Sequence, residues 1–218
     1  FLQKYTYSII LLKQLVKTDF KLRYQGSVLG YLWSLLRPLA IFLILYVVFV
    51  RFLGVGGGIP HFPVYLLLGI VLWNFFMEIT TGSIASIVGK GDLLRKISFP
   101  KYVIVAAGTA SAVINFLINL VVVAVFMIIS GVDISRSALF FPLLILELLL
   151  LSSGIAFFLS AAYVKFRDIG YIWEVIVQGA FYATPILYPL DAPIPLSAQK
   201  ILILNPVAQI IQDARHGL

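Results

Sequence analysis

The stretch VIVAAGTASAVINFLINLVVVAVFMII, residues 103–129, carries 27 residues without a charge or a proline. At about 1.5 Å of rise per residue a helix of this length crosses a hydrocarbon core of about 30 Å with room to tilt. Working outward from it, the same pattern returns. Towards the N-terminus lies a polar, basic connection at Gly89–Tyr102, then a second apolar run over Phe62–Val88. A glycine-rich turn at Gly54–Gly58 and a first span over about Leu29–Leu53 precede it, with Arg37–Pro38 near that span's start. Towards the C-terminus come a short turn at Gly131–Ser137, a fourth span over Ala138–Val164, and a tight basic turn at Lys165–Asp168. A fifth span starts near Ile169 and breaks at Thr184–Pro185, because proline lacks an N–H and disfavours helix at the residue before it.

Composition agrees. The chain of 218 residues is 61% hydrophobic and 11% charged, against roughly 45–50% and about 25% in ordinary globular domains. The expected fold is an all-α polytopic membrane bundle. Beyond the fifth span, Tyr188–Leu218 contains Pro189, Pro193, Pro195 and Pro206. Short re-entrant helices fit this segment better than a span, provided protein covers their backbone.

Residues 1–24 do not form a span. Lys13, Lys17 and Lys21 repeat every fourth residue and share one helix face, while Ile9, Leu12, Val16 and Phe20 lie on another. Such a helix lies in the membrane interface. Gly26 and Gly30 follow it as a joint.

The net charge of +7 sits at the ends of apolar runs, which indicates lipid headgroups and topology rather than nucleic acid. One side receives Lys4, Lys13, Lys17, Lys21, Arg23, Arg37, Lys90, Arg95, Lys96, Lys101, Lys165 and Arg167. The other receives Arg51, Arg136, Lys200 and Arg215. The richer side, with the N-terminus, is expected in the cytoplasm.

The absence of cysteine removes disulfides, thiolate metal sites and cysteine nucleophiles, and His61 and His216 alone make no histidine metal site. Nothing matches a phosphate loop. In Gly82 to Gly89–Lys90–Gly91 the glycines are too far apart, and Gly91 stands where Ser or Thr would hold the metal.

Within GKGDLLRKISFPKY, Asp92 can cap a short helix whose apolar stripe is Leu93, Leu94 and Ile97, with Arg95 and Lys96 beside it. This is either a turn held by headgroups or a helix that docks into a cytoplasmic partner. Three acids fall inside spans: Glu78, Glu147 and Glu174. Intramembrane acids are costly and often functional, but the more ordinary reading of these three is that they sit near the interface, are neutral, or are bonded to a neighbouring helix. Phe181, Tyr182 and Tyr188 flank the Thr184–Pro185 break, where they suit either belt anchoring or the faces of sugars lining an exit gate.

Five segments together carry a resemblance: KTDFKLRYQGSVLGYLWSLLRPL (17–39), DLLRKISFPKY (92–102), YVKFRDIGYIWE (163–174), TPILYP (184–189) and LNPVAQIIQDAR (204–215). In this order and spacing the chain resembles the permease subunit of bacterial type 2 ABC exporters, in the branch that exports O-antigen polysaccharide (part of lipopolysaccharide), teichoic acid and related lipid-linked glycans. The resemblance covers essentially the whole chain. It implies a homodimer of six-span permeases in the plasma membrane with two separate ATPase subunits, which bind the ATP and magnesium. The chain itself would then hold no cofactor and catalyse nothing. The resemblance also implies that the N-terminal helix and Asp92–Lys96 sit on the ATPase, and that the channel lies between two copies. A sixth span would follow Leu218, so the 218 residues read as one transmembrane domain cut at both ends. Two other functions compete: an ABC exporter of another lipid or drug-like substrate, and an ion channel or secondary carrier without an ATPase.

Overall fold

A computed structural model describes residues 2–23, 25–54, 59–97, 99–132, 135–188, 202 and 204–217. Among these, all regular structure is helical. Helix α1 spans Leu2–Arg23. Gly26 and Gly30 follow with φ of 79° and 50°, a left-handed backbone that glycine adopts without a Cβ penalty, so the joint is a sharp turn. A 3₁₀ turn at Gly30–Leu32 leads into α2, Trp33–Tyr46, which contains the buried Pro38 and continues as a π-helical stretch over Val47–Phe52. Helix α3 runs Phe62–Ile84 and breaks at Ala85; the short α4 (Ser86–Gly89) and α5 (Gly91–Lys96) follow. Then come α6, Tyr102–Ser130, α7, Phe141–Lys165, α8, Ile169–Ala183, and α9, Pro206–His216.

Helix α3 is the axis of the bundle. A helix that is apolar all round must be surrounded, and every residue from Leu66 to Trp73 on α3 is buried. It packs on α2, α6, α7, α8 and α9. The close fit to α7 comes from small residues one turn apart. Ser152, Ala156 and Ser160 form a fully buried stripe below Leu148, and Ser83 Oγ of α3 donates to the Ala156 carbonyl at 3.2 Å. Small residues let backbones approach where lipid supplies no hydrophobic drive. The hydroxyls are satisfied within their own helices, as Ser152 to the Leu148 carbonyl at 2.6 Å and Ser111 to Ala107 at 3.0 Å. On the outer surfaces of α2, α6 and α7, Leu43, Ile44, Val121, Ile128, Leu143 and Leu150 are exposed, as side chains facing lipid should be.

Four helical segments are long and apolar enough to cross a membrane: Gly30–Phe52, Phe62–Ile84, Tyr102–Ser130 and Ser137–Lys165. They coincide with the first four expected spans. The fifth falls short. Helix α8 has 15 residues, about 22 Å, less than a hydrocarbon core of about 30 Å. It ends as anticipated at Thr184, whose ψ of 132° leaves the helix. Most of the proline-rich return, residues 189–201, lies outside the described residues, but α9 comes back against α3 and α7. Its start obeys capping rules: Asn205 accepts from the Val207 N–H at 3.0 Å, and Pro206 takes the first helical position.

Candidate functional site

Three regions of the bundle can act on a partner or a cargo. The first is the basic end, where α1 lies on α6. Lys13, Lys17 and Lys21 are exposed, as their spacing predicts. The opposite face packs on protein. Leu15, Val103 and Ala107 are buried together, with Leu11, Leu12, Val16, Leu93 and Phe99 against them. The sequence reading named Leu12 and Val16 but missed Leu15; Ile9 is exposed, and the side chain of Phe20 lies outside those described. An ion pair adds to this packing. Lys90 Nζ lies 2.9 Å from both carboxylate oxygens of Asp19, tying α1 to the α4–α5 junction.

One expectation for α5 is corrected. Asp92 does not cap the helix; Lys90 occupies the cap position without a side-chain bond, and Asp92 sits in the first turn, where its charge complements the helix dipole. Leu93 is half-buried and packs against the cluster of Leu15, Val103 and Ala107. Leu94 is half-buried, while Arg95, Lys96 and Ile97 are exposed.

The second region is a cavity of about 1330 Å³ bounded by α2, α3, α6 and α8. Its wall mixes apolar groups with Arg37, Asn74, Asn119, Arg167, Glu174 and Gln178. Glu78, also on the wall, is held by two partners. Arg23 at the end of α1 forms an ion pair with it, and Asn115 Nδ2 donates to its second oxygen at 2.8 Å. An intramembrane acid is thus satisfied by a neighbouring helix. Glu174 shares this cavity but Glu147 does not; it is exposed on α7. The three acids therefore form no common cluster. Tyr163, on the cavity wall, stacks under Arg167, whose Cζ is 5.1 Å from the ring centre.

The third region is the break after α8. Thr184, Pro185, Ile186 and Leu187 are all buried, so the carbonyls freed there need protein partners. Residues from α9 supply them. Arg215 Nη1 donates to the Pro185 carbonyl at 2.6 Å, Nη2 to Ile186 at 2.9 Å and Nε to Tyr65 of α3 at 3.2 Å. Gln212 also reaches Pro185, at 3.2 Å, and Asn205 Nδ2 donates to Thr184 Oγ1 at 3.0 Å. Arg215, read from sequence as a flanking charge of the far side, is instead drawn into the bundle. The aromatics divide. Phe181 packs edge-on against Trp73 at 5.8 Å, and the Tyr188 hydroxyl donates to the Tyr182 carbonyl at 3.1 Å. The Tyr182 ring is exposed.

Comparison with known proteins fits this architecture. The sequence profile of the ABC-2 type transporter family matches residues 10–218. The chain is similar to the O-antigen export system permease protein of Klebsiella pneumoniae, 32% identical over 96% of this chain and 80% of that one. It is similar to the corresponding permease of Myxococcus xanthus, 31% identical over 92% and 77%. The polysialic acid transport protein of Escherichia coli is 26% identical over 99% and 82%. A multi-pass helical bundle, the five sequence segments and a family match over nearly the whole length lead to one conclusion: this chain is a membrane permease of the ABC-2 type transporter family.

Proposed function

We propose that this chain is the membrane subunit of an ATP-driven exporter that carries a lipid-linked polysaccharide, of the O-antigen or teichoic acid type, across the bacterial plasma membrane. The observation that carries this reading is the similarity, over more than nine-tenths of the chain, to permeases named for O-antigen export. The active unit pairs two copies with two ATPase chains, which bind ATP and magnesium. The ATPase docks at the basic end, on α1 and α5. With Arg215 inside the bundle, the sequence pattern assigns Arg51, Arg136 and Lys200 to the far side against twelve basic residues on the side of the N-terminus, which supports a cytoplasmic N-terminus.

Cargo enters by the cavity between α2 and α8, whose polar and arginine-bearing wall suits a sugar or phosphate group beside an apolar lipid. It leaves by the α8 break, with Tyr182 and Tyr188 at the exit. The reading is tested by depleting the chain from its host. Lipid-linked glycan should build up on the cytoplasmic face while its synthesis continues. Normal surface glycan in depleted cells would refute the assignment.

A further inference from the structure

The contacts of Arg215 have a feature that simple satisfaction of backbone groups does not require. One guanidinium joins three elements. It bonds the break after α8 through Pro185 and Ile186, bonds α3 through the Tyr65 carbonyl, and belongs itself to α9. It also lies over the Tyr65 ring, with Cζ 3.5 Å from the centroid. The same tyrosine's hydroxyl donates to the Tyr188 carbonyl at 3.3 Å. The planar fork of five N–H donors makes this possible; a lysine ammonium could not bond in three directions and stack at once.

Space is made for it. A Cβ on Gly69 would lie 2.3 Å from Arg215 Nη2, so the guanidinium occupies the volume that a larger residue on α3 would take. All its acceptors are neutral carbonyls, and among the described residues no carboxylate pairs with it. Such bonds can be exchanged without stranding an opposite charge in the bilayer.

We infer that Arg215 is the positioning residue of the exit closure: it holds the Thr184–Tyr188 break against α3 and keeps the resting path sealed. This rests on the transport reading above. Three variants test it in the assembled permease–ATPase complex in liposomes, with potassium flux measured without ATP. Arg215→Gln removes the fork. Gly69→Ala leaves the arginine in place but pushes its flexible tip off the carbonyls. Arg215→Lys keeps the charge with a poorer fit.

Arg215→Gln and Gly69→Ala should each raise resting flux per assembled complex about tenfold, the factor expected when a two-state closure loses a charge-assisted bond. Arg215→Lys should fall between them and the parent. A purely structural arginine would lower the yield of complex and leave the flux of what assembles unchanged, which overturns the inference. If Arg215→Gln does not assemble, a sealed Gly69→Ala complex overturns it equally. Glycan export by the parent complex is read alongside. Leaky variants with no parental export would uphold the closure and refute the substrate; an exporting parent with sealed variants would do the reverse.

Discussion

Truncating Leu15 should free α1 from the bundle, and the size of the effect separates two accounts of how α1 is held. Leu15 is 8% exposed and packs with Val103 and Ala107. Leu→Ala at a buried site costs about 2–5 kcal/mol. This cluster is small and lies at the edge of the bundle, which places the cost near the lower end, about 2–3 kcal/mol. At 1.4 kcal/mol per decade, that raises the population of detached α1 by roughly 30- to 150-fold. The ion pair between Asp19 and Lys90 competes with this packing as the anchor. Its side chains are 28% and 25% exposed, so it contributes at most about 1 kcal/mol, or about fivefold. Trypsin reads the difference. Lys13 and Lys17 are exposed but helical, so cleavage in detergent-solubilised protein tracks how often α1 opens. Leu15→Ala should accelerate nicking by one to two orders of magnitude by the same conversion. Lys90→Ala should accelerate it fivefold at most, and Leu22→Ala, at a position 60% exposed, should change nothing. If Lys90→Ala frees α1 as much as Leu15→Ala does, charge holds the helix and the packing argument is wrong.

Other outcomes follow from the same structure. Leu94→Asp, on the half-buried side of α5, should weaken ATPase co-purification while membrane insertion stays intact; unchanged association and export would leave α5 as a headgroup-bound turn. Ala156→Leu, at a fully buried position of the α3–α7 seam, should cost about 1–3 kcal/mol through overpacking, whereas Gly154→Ala, whose Cβ would meet nothing within 4 Å, should hold or raise the unfolding temperature. A cysteine at Ser98 should resist an impermeant thiol reagent added outside whole cells, and labelling without permeabilisation would invert the topology.

The four long spans were legible because apolar length with few charges is a property of the sequence alone. The end of α8 was legible for a similarly local reason, since Pro185 cannot continue a helix. What escaped depends on packing between distant segments. Arg215 reads as a flanking charge because its acceptors are carbonyls at Tyr65, Pro185 and Ile186, which no residue type announces. A hint did exist: Val207, Ala208, Ile210, Ile211 and Ala214 trace one buried face of α9, and Asn205–Pro206 marks its start. Leu93, Leu94 and Ile97 read as one apolar stripe, and the packing of Leu93 against Leu15, Val103 and Ala107 was not legible because a six-residue helix has too few positions to decide which face is inner. Glu78 was recognisable as a costly acid, but its partner Arg23 is 55 residues away. The cavity reveals itself only once α2 and α8 stand on either side of α3.

The central claim is that this chain, driven by a separate ATPase, carries a lipid-linked glycan across the membrane. The most direct measurement reconstitutes the two chains in liposomes loaded with lipid-linked glycan on the ATPase-exposed face. Lectin binding, or attack by a membrane-impermeant glycosidase, then reads the glycan that arrives on the opposite face. The account predicts arrival that requires ATP, requires both chains and is lost with Leu94→Asp. Arrival without ATP or without the ATPase, or steady ATP hydrolysis by an intact complex with no glycan crossing, would contradict it.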